Sequence, residues 1–207
     1  MKVLSLLLAI LLAGIFQAAT AADNATAAQT LRLDMRKLWS DHVFWTRDYA
    51  AAAIAGQPDA KAAAARLLRN QEDIGNAVAV YYGKEAGNKL TTLLKEHMTI
   101  AVALIAAAKS HDQVKFQETD RKWDRNAEDI AEFLSKANPN WPKATLSSMM
   151  KMHLMTTKNE VTARLNQNWD EDVRAFDAVY DHILKMSDVL SDGILKQFPE
   201  KFLGATN

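Results

Sequence analysis

The placement of helix-breaking residues constrains this chain more than any other feature. Only seven glycines and four prolines occur. After the N-terminal segment, most of them punctuate long runs of Ala, Leu, Lys, Glu, Gln and Arg, the strongest helix formers. No window alternates apolar and polar residues long enough to read as a strand. Gly56-Gln57-Pro58 marks a first turn, with Gly past the end of one helix and Pro opening the next. Gly83 marks a second. Ser110 with Gln113 three residues on reads as a capping box that starts a fourth helix. Asn138-Pro139-Asn140-Trp141-Pro142 is a rigid loop before a fifth. Asn168 with Glu171 starts a sixth, and Pro199 closes it. These breaks predict six helices of about 22 to 28 residues joined by short turns, which implies up-and-down packing. The expected fold class is all-α: a six-helix antiparallel bundle made of three repeated helical hairpins, with an open stack of hairpins satisfying the same turns.

Ahead of the helices, residues 1–22 read as a signal peptide. Lys2 supplies the positive charge, Val3 to Phe16 the short apolar stretch, and Ala18-Ala19-Thr20-Ala21-Ala22 a small-residue cleavage site before Asp23. The apolar stretch falls short of the roughly 20 residues that span a bilayer. The expected product is a single domain, residues 23–207, in the periplasm or secreted, with no stable membrane insertion. The chain has no cysteine, which removes disulfides, lipoprotein anchoring and covalent c-type haem. Its 25 basic and 25 acidic side chains balance, so nothing draws it to nucleic acid. The oligomeric state is open.

The hairpins resemble one another at a period of about 55 residues, the mark of an internal triplication. Arg69-Asn70-Gln71-Glu72-Asp73-Ile74 matches Arg125-Asn126-Ala127-Glu128-Asp129-Ile130, with Tyr180-Asp181-His182-Ile183 at the corresponding place in the last hairpin. The odd helices centre on His42, His97 and His153. Each has Leu or Met four residues earlier (Leu38, Leu93, Met149) and a bulky apolar residue three earlier (Trp39, Leu94, Met150).

Turn arithmetic sets these residues at one height, because residues equidistant from an antiparallel turn lie level. The midpoint of His42 and Glu72 is Gln57. That of Glu72 and His97 falls beside Gly83, and that of His97 and Glu128 just after Ser110. For Glu128 and His153 it lies inside the Pro139–Pro142 loop, and for His153 and Asp181 beside Asn168. The apolar stripe at −4 and −3 turns the three histidines inward. A buried layer of imidazoles and carboxylates must be satisfied internally. A transition metal (zinc, iron, manganese or copper) would do so. The candidate ligands are His42, Glu72, His97, Glu128, His153, Asp181 and His182, with Asp73 and Asp129 placed to orient the imidazoles.

The plain alternative is a structural layer in a non-catalytic interaction or ligand-binding bundle. There the histidines bond carboxylates without metal, and Glu72 and Glu128 pair with Arg69 and Arg125 along their own helices. Met149, Met150, Met152 and Met155 around His153 would suit Cu(I) or an axial haem position, although Met at helical spacing more often fills core. A b-type haem has no motif to support it, and His111 reads as surface. No phosphate loop, nucleophile elbow, HExxH or ExxH pair is present, so the reading leans away from an enzyme.

The segments Leu38-Trp39-Ser40-Asp41-His42-Val43-Phe44-Trp45-Thr46-Arg47, Ala137-Asn138-Pro139-Asn140-Trp141-Pro142 and Ser191-Asp192-Gly193-Ile194-Leu195-Lys196-Gln197-Phe198-Pro199 are specific. They resemble a family of small uncharacterised bacterial helical proteins often mislabelled glycosyltransferase or acetylglutamate kinase. The resemblance spans nearly the whole mature chain and implies a shared helical fold. It implies no catalytic residues, since either activity would be expected to need an α/β sheet with nucleotide-binding loops.

Overall fold

Long uninterrupted stretches of helix formers give long helices. The computed structural model describes the backbone of residues 2–202 and the side chains of residues 26–202. The signal peptide expected over residues 1–22 therefore lies outside the described side chains. Among the described residues five α-helices follow one another: α1 (Lys2–Ala55), α2 (Ala60–Lys109), α3 (Gln113–Ala137), α4 (Lys143–Leu165) and α5 (Trp169–Gln197). A 3-10 turn, Pro199–Phe202, ends the described chain. No strand occurs among the described residues.

Most turns fall where the breakers stand, although the capping chemistry differs in detail. Gly56 takes φ 70° and the Gln57 N–H returns to the Ala52 carbonyl at 2.8 Å. Helix α2 begins at Ala60 behind Asp59, two residues later than a helix-opening Pro58 would place it. Asp112, not Ser110, caps α3, its carboxylate accepting from the Lys115 N–H. Ser110 instead ends α2, its hydroxyl donating to the Ala107 carbonyl. Asn168 caps α5 as expected, accepting from the Glu171 N–H at 3.3 Å.

The expected boundary at Gly83 falls where two helical arms join across a kink. Residues 60–109 run as one element, and Gly83 is the single point where the backbone leaves the helix, at φ 84° and ψ 162°. The arms on either side meet. A Cβ on Gly87 would stand 2.5 Å from the Gly75 carbonyl oxygen and 2.6 Å from the Ala79 Cβ. Lys95 bonds Glu72 across the same pair of arms. Among the described residues the α-helical elements therefore number five, with α2 bent into two arms at the glycine where the sequence predicts a break between two helices.

Each helix packs on the next, and α5 returns to α1, so the bundle closes. The pairing runs antiparallel: Arg32 meets Asp192 and Arg36 meets Asp188 between α1 and α5. Between α3 and α4, Asp120 pairs with Lys158 and Glu132 with Lys143. The enclosed core holds Leu31, Met35, Trp39, Ile74, Leu94, Trp123, Ile130, Leu154, Ile183 and Ile194 among others. Trp141, in the loop before α4, is also buried, and its indole N–H donates to the Val189 carbonyl.

Candidate histidine centre in the bundle core

The apolar stripes of α1, the second arm of α2, and α4 do turn their histidines inward. His42, His97 and His153 are 2%, 1% and 4% exposed. Their rings form a contiguous group. His153 lies 5.7 Å from His42, 6.1 Å from His97 and 6.4 Å from the half-buried His182, centroid to centroid. Trp39 stands edge-on to His42, and Trp123 tilts over His97.

The expected carboxylates do not join them. Glu72 is exposed and bonded to Lys95, which holds its pKa below the usual carboxylate value. Glu128 accepts from the Ser147 hydroxyl at 2.7 Å and faces Lys151, and it too is held low, chiefly by that hydroxyl. Neither pairs with the arginine three residues before it. Asp181 is exposed. Asp73 lies 3.6 Å from Arg66, and Asp129 is exposed; neither orients an imidazole. Among the described residues, no group of three or more His, Asp or Glu stands arranged to hold a metal ion.

The inward polar partners are amides one or two residues away from the acids. Asn126 donates from Nδ2 to the Leu93 carbonyl at 3.1 Å, which fixes its Oδ1 as an acceptor. His97 Nδ1 lies 2.7 Å from that oxygen and must therefore carry the proton, leaving a bare lone pair on Nε2. That Nε2 is buried with no protein partner. Asn70 makes the matching bond between α2 and α1, from Nδ2 to the Leu38 carbonyl at 3.0 Å. Gln71 approaches His42 Nδ1 at 3.3 Å, but its two amide protons also face the Leu67 carbonyl and Asn70 Oδ1 at shorter distances. Between α5 and α4 His182 supplies the bond itself, from Nε2 to the Met149 carbonyl at 2.9 Å. Leu38, Leu93 and Met149 each lie four residues before a core histidine. His153 Nδ1 is a second buried imidazole nitrogen with no protein partner, and the indole nitrogens of Trp39 and Trp123 beside the rings are likewise buried without one.

His42, His97 and His153 line one internal cavity of about 20 Å³, closed by Trp39, Leu94, Ile130, Leu134, Leu146, Met150, Met186 and Leu190. That is room for one water-sized occupant. No charged group among the described residues lines it, so burial sets the protonation state. Desolvation pushes His42 down to about 3 and His97 to about 4, and carries His153 well below the ordinary histidine value. His182 is lowered too, again by burial. All four are neutral at pH 7. A neutral imidazole is the form that ligates metal or accepts a proton.

A second buried polar group, absent from the expectations, sits towards the α4–α5 turn. Arg47 reaches from α1 to Glu160 at 2.6 Å and to both oxygens of Asp172 at 3.1 and 2.8 Å, while Arg164 adds a bond to Asp172 at 2.8 Å. Burial nevertheless raises Glu160 to about 7, only partly offset by Arg47. In sequence these four residues carry no shared signal, because they meet only through the packing of α1 on α4 and α5.

An open groove of about 800 Å³ runs outside the histidine centre, lined by charges of both signs including Glu96, Lys122, Arg125, Glu128 and Lys151. Asn126 lies in its lining while holding His97 on the inner side. Comparison with family models, curated proteins and solved structures found no match for this chain.

Proposed function

We propose that this protein is an exported bundle that binds one transition-metal ion in its core, through the imidazoles of His42, His97 and His153 with His182 at the edge. The observation that carries this reading is the bare Nε2 lone pair of His97. It is buried beside a cavity, and the Asn126 bond at the other ring nitrogen holds it in the ligating tautomer. Metal-bound histidines characteristically have their second nitrogen held in this way. Binding requires the three rings to draw closer than their resting separations, so that nitrogens come within about 2.0 to 2.1 Å of the ion. Glu72, Glu128 and Asp181 take no part in this version of the site.

The fold enters the proposal too. The chain is read as three repeated hairpins, hence six helical arms. What supports this is the recurrence of a side-chain bond to the carbonyl four residues before each core histidine, from Asn70, Asn126 and His182.

The experiment is elemental analysis of purified protein, followed by thermal unfolding of metal-free protein with added divalent ions and reduced copper. The expected result is about one ion per chain and a higher Tm on loading, both lost in a His97→Ala, His153→Ala variant whose helical circular dichroism is intact. Metal-free protein whose Tm no ion raises would overturn the proposal. One observation favours a second reading, the structural polar layer: a cavity of about 20 Å³ also fits a single water donating to His97 Nε2. Insensitivity to every ion would leave that reading standing.

A further inference from the structure

Resting on the proposal that the core takes a metal ion, the geometry points to monovalent copper as that ion, with the thioethers of Met150 and Met186 completing the imidazole set. Among the described residues, the cavity wall offers two kinds of donor. Three are imidazoles, and two are thioethers, from α4 and α5, on side chains themselves 5% and 4% exposed. Everything else facing the space is apolar or indole.

Imidazole suits several late transition metals, but thioether sulfur is soft and selects Cu(I). The acids nearest in sequence to the core partners, Glu72 and Glu128, lie on the outside beside Lys95 and Lys151, so no carboxylate offsets a buried cation. Desolvation cost scales with the square of charge, so a dication would meet about four times the penalty of a monocation in the same cavity. The small volume also disfavours hard ions such as Mg²⁺ or Mn²⁺, which keep bound waters. A bare monovalent ion with few ligands fits; a hydrated divalent one does not.

The test is an anaerobic titration of metal-free protein with Cu(I) against a chromophoric Cu(I) chelator, and with Zn(II) against a zinc indicator. It uses the parent chain and a Met150→Leu, Met186→Leu double variant. Leucine nearly conserves the volume, and Tm of the metal-free variant checks the fold. Expected are one Cu(I) per chain, bound at least about 100-fold more tightly than Zn(II), and a loss of at least about tenfold in Cu(I) affinity in the double variant with Zn(II) unchanged. X-ray absorption of the Cu(I) form should show sulfur scatterers that vanish in the variant. If Zn(II) binds as tightly as Cu(I) and the leucines change nothing, the thioether assignment fails while imidazole metal binding stands. If neither ion binds, both fail.

Discussion

Each buried imidazole has a proton affinity that folding has suppressed, and the consequence is measurable in acid. Unfolded, the histidines protonate near 6.5; folded, His42 holds off to about 3 and His97 to about 4, because burial disfavours the charged ring. Between those values the unfolded chain binds more protons. The stability they confer is therefore complete above about pH 6.5 and is lost as pH falls toward the folded values, by at most roughly 1.4 kcal/mol per pH unit for each ring. Glu160 works the other way. Its folded value of about 7 lies above the ordinary 4.5, so its carboxyl favours the fold below 4.5 and disfavours it as pH rises toward 7. Urea denaturation of metal-free protein should show a net fall in stability from pH 6.5 to 4.5, steeper in a Glu160→Gln variant. A flat profile in both proteins would contradict the burial of the histidines. The identity of the three core histidines was legible, since the residues at −4 and −3 announce a buried stripe. Their partners were not: Asn70, Gln71 and Asn126 looked like neighbours of the acids that drew attention.

At the scale of elements, the turn in α2 depends on two kinds of glycine. Gly83 has positive φ and open space around it, so a side chain there meets only backbone strain. Gly75 and Gly87 have helical backbone but sit where the two arms touch, each facing the other's carbonyl oxygen. Backbone oxygens cannot step aside as a flexible side chain can. Gly87→Ala should therefore destabilise by about 2 kcal/mol through overpacking, and Gly83→Ala by about 1 to 3 kcal/mol through strain alone. Chemical denaturation of the two variants decides this, and a harmless Gly87→Ala would mean the arms are farther apart than described. The glycine at the turn was legible as a break in helix-forming sequence. That the two arms then meet depends on their close contact at Gly75 and Gly87, which no local signal reports.

For the whole molecule, closure matters most. Helix α1 contacts both α2 and α5, so the ring of helices seals around the histidines rather than leaving them along an open groove. The exposed Arg32–Asp192 and Arg36–Asp188 pairs mark the α1–α5 seam. Being half-exposed ion pairs, they set its register more than its strength. The apolar seam beneath begins at Leu31 and Met35, the first buried residues among those described. A chain starting at Asp23 should accordingly keep the Tm of the full chain. A drop of more than a few degrees would show that the first 22 residues contribute to the packing and would weaken their reading as a removable leader.

The sequence alone determined the helices, most of their ends, and the common height of His42, His97 and His153. These follow from local propensity and from a rise that is the same for every residue in a helix. Tertiary structure decided direction. Each step along a helix turns the side chain by about 100°, so Gln71 and Glu72, or Asn126 and Glu128, share nearly the same height yet face different surroundings. Only the packed ring of helices selects which of them looks inward. It sent the amides to the core and the carboxylates to lysines at the surface, and it gave the centre its lone pair, its cavity and its lack of charge.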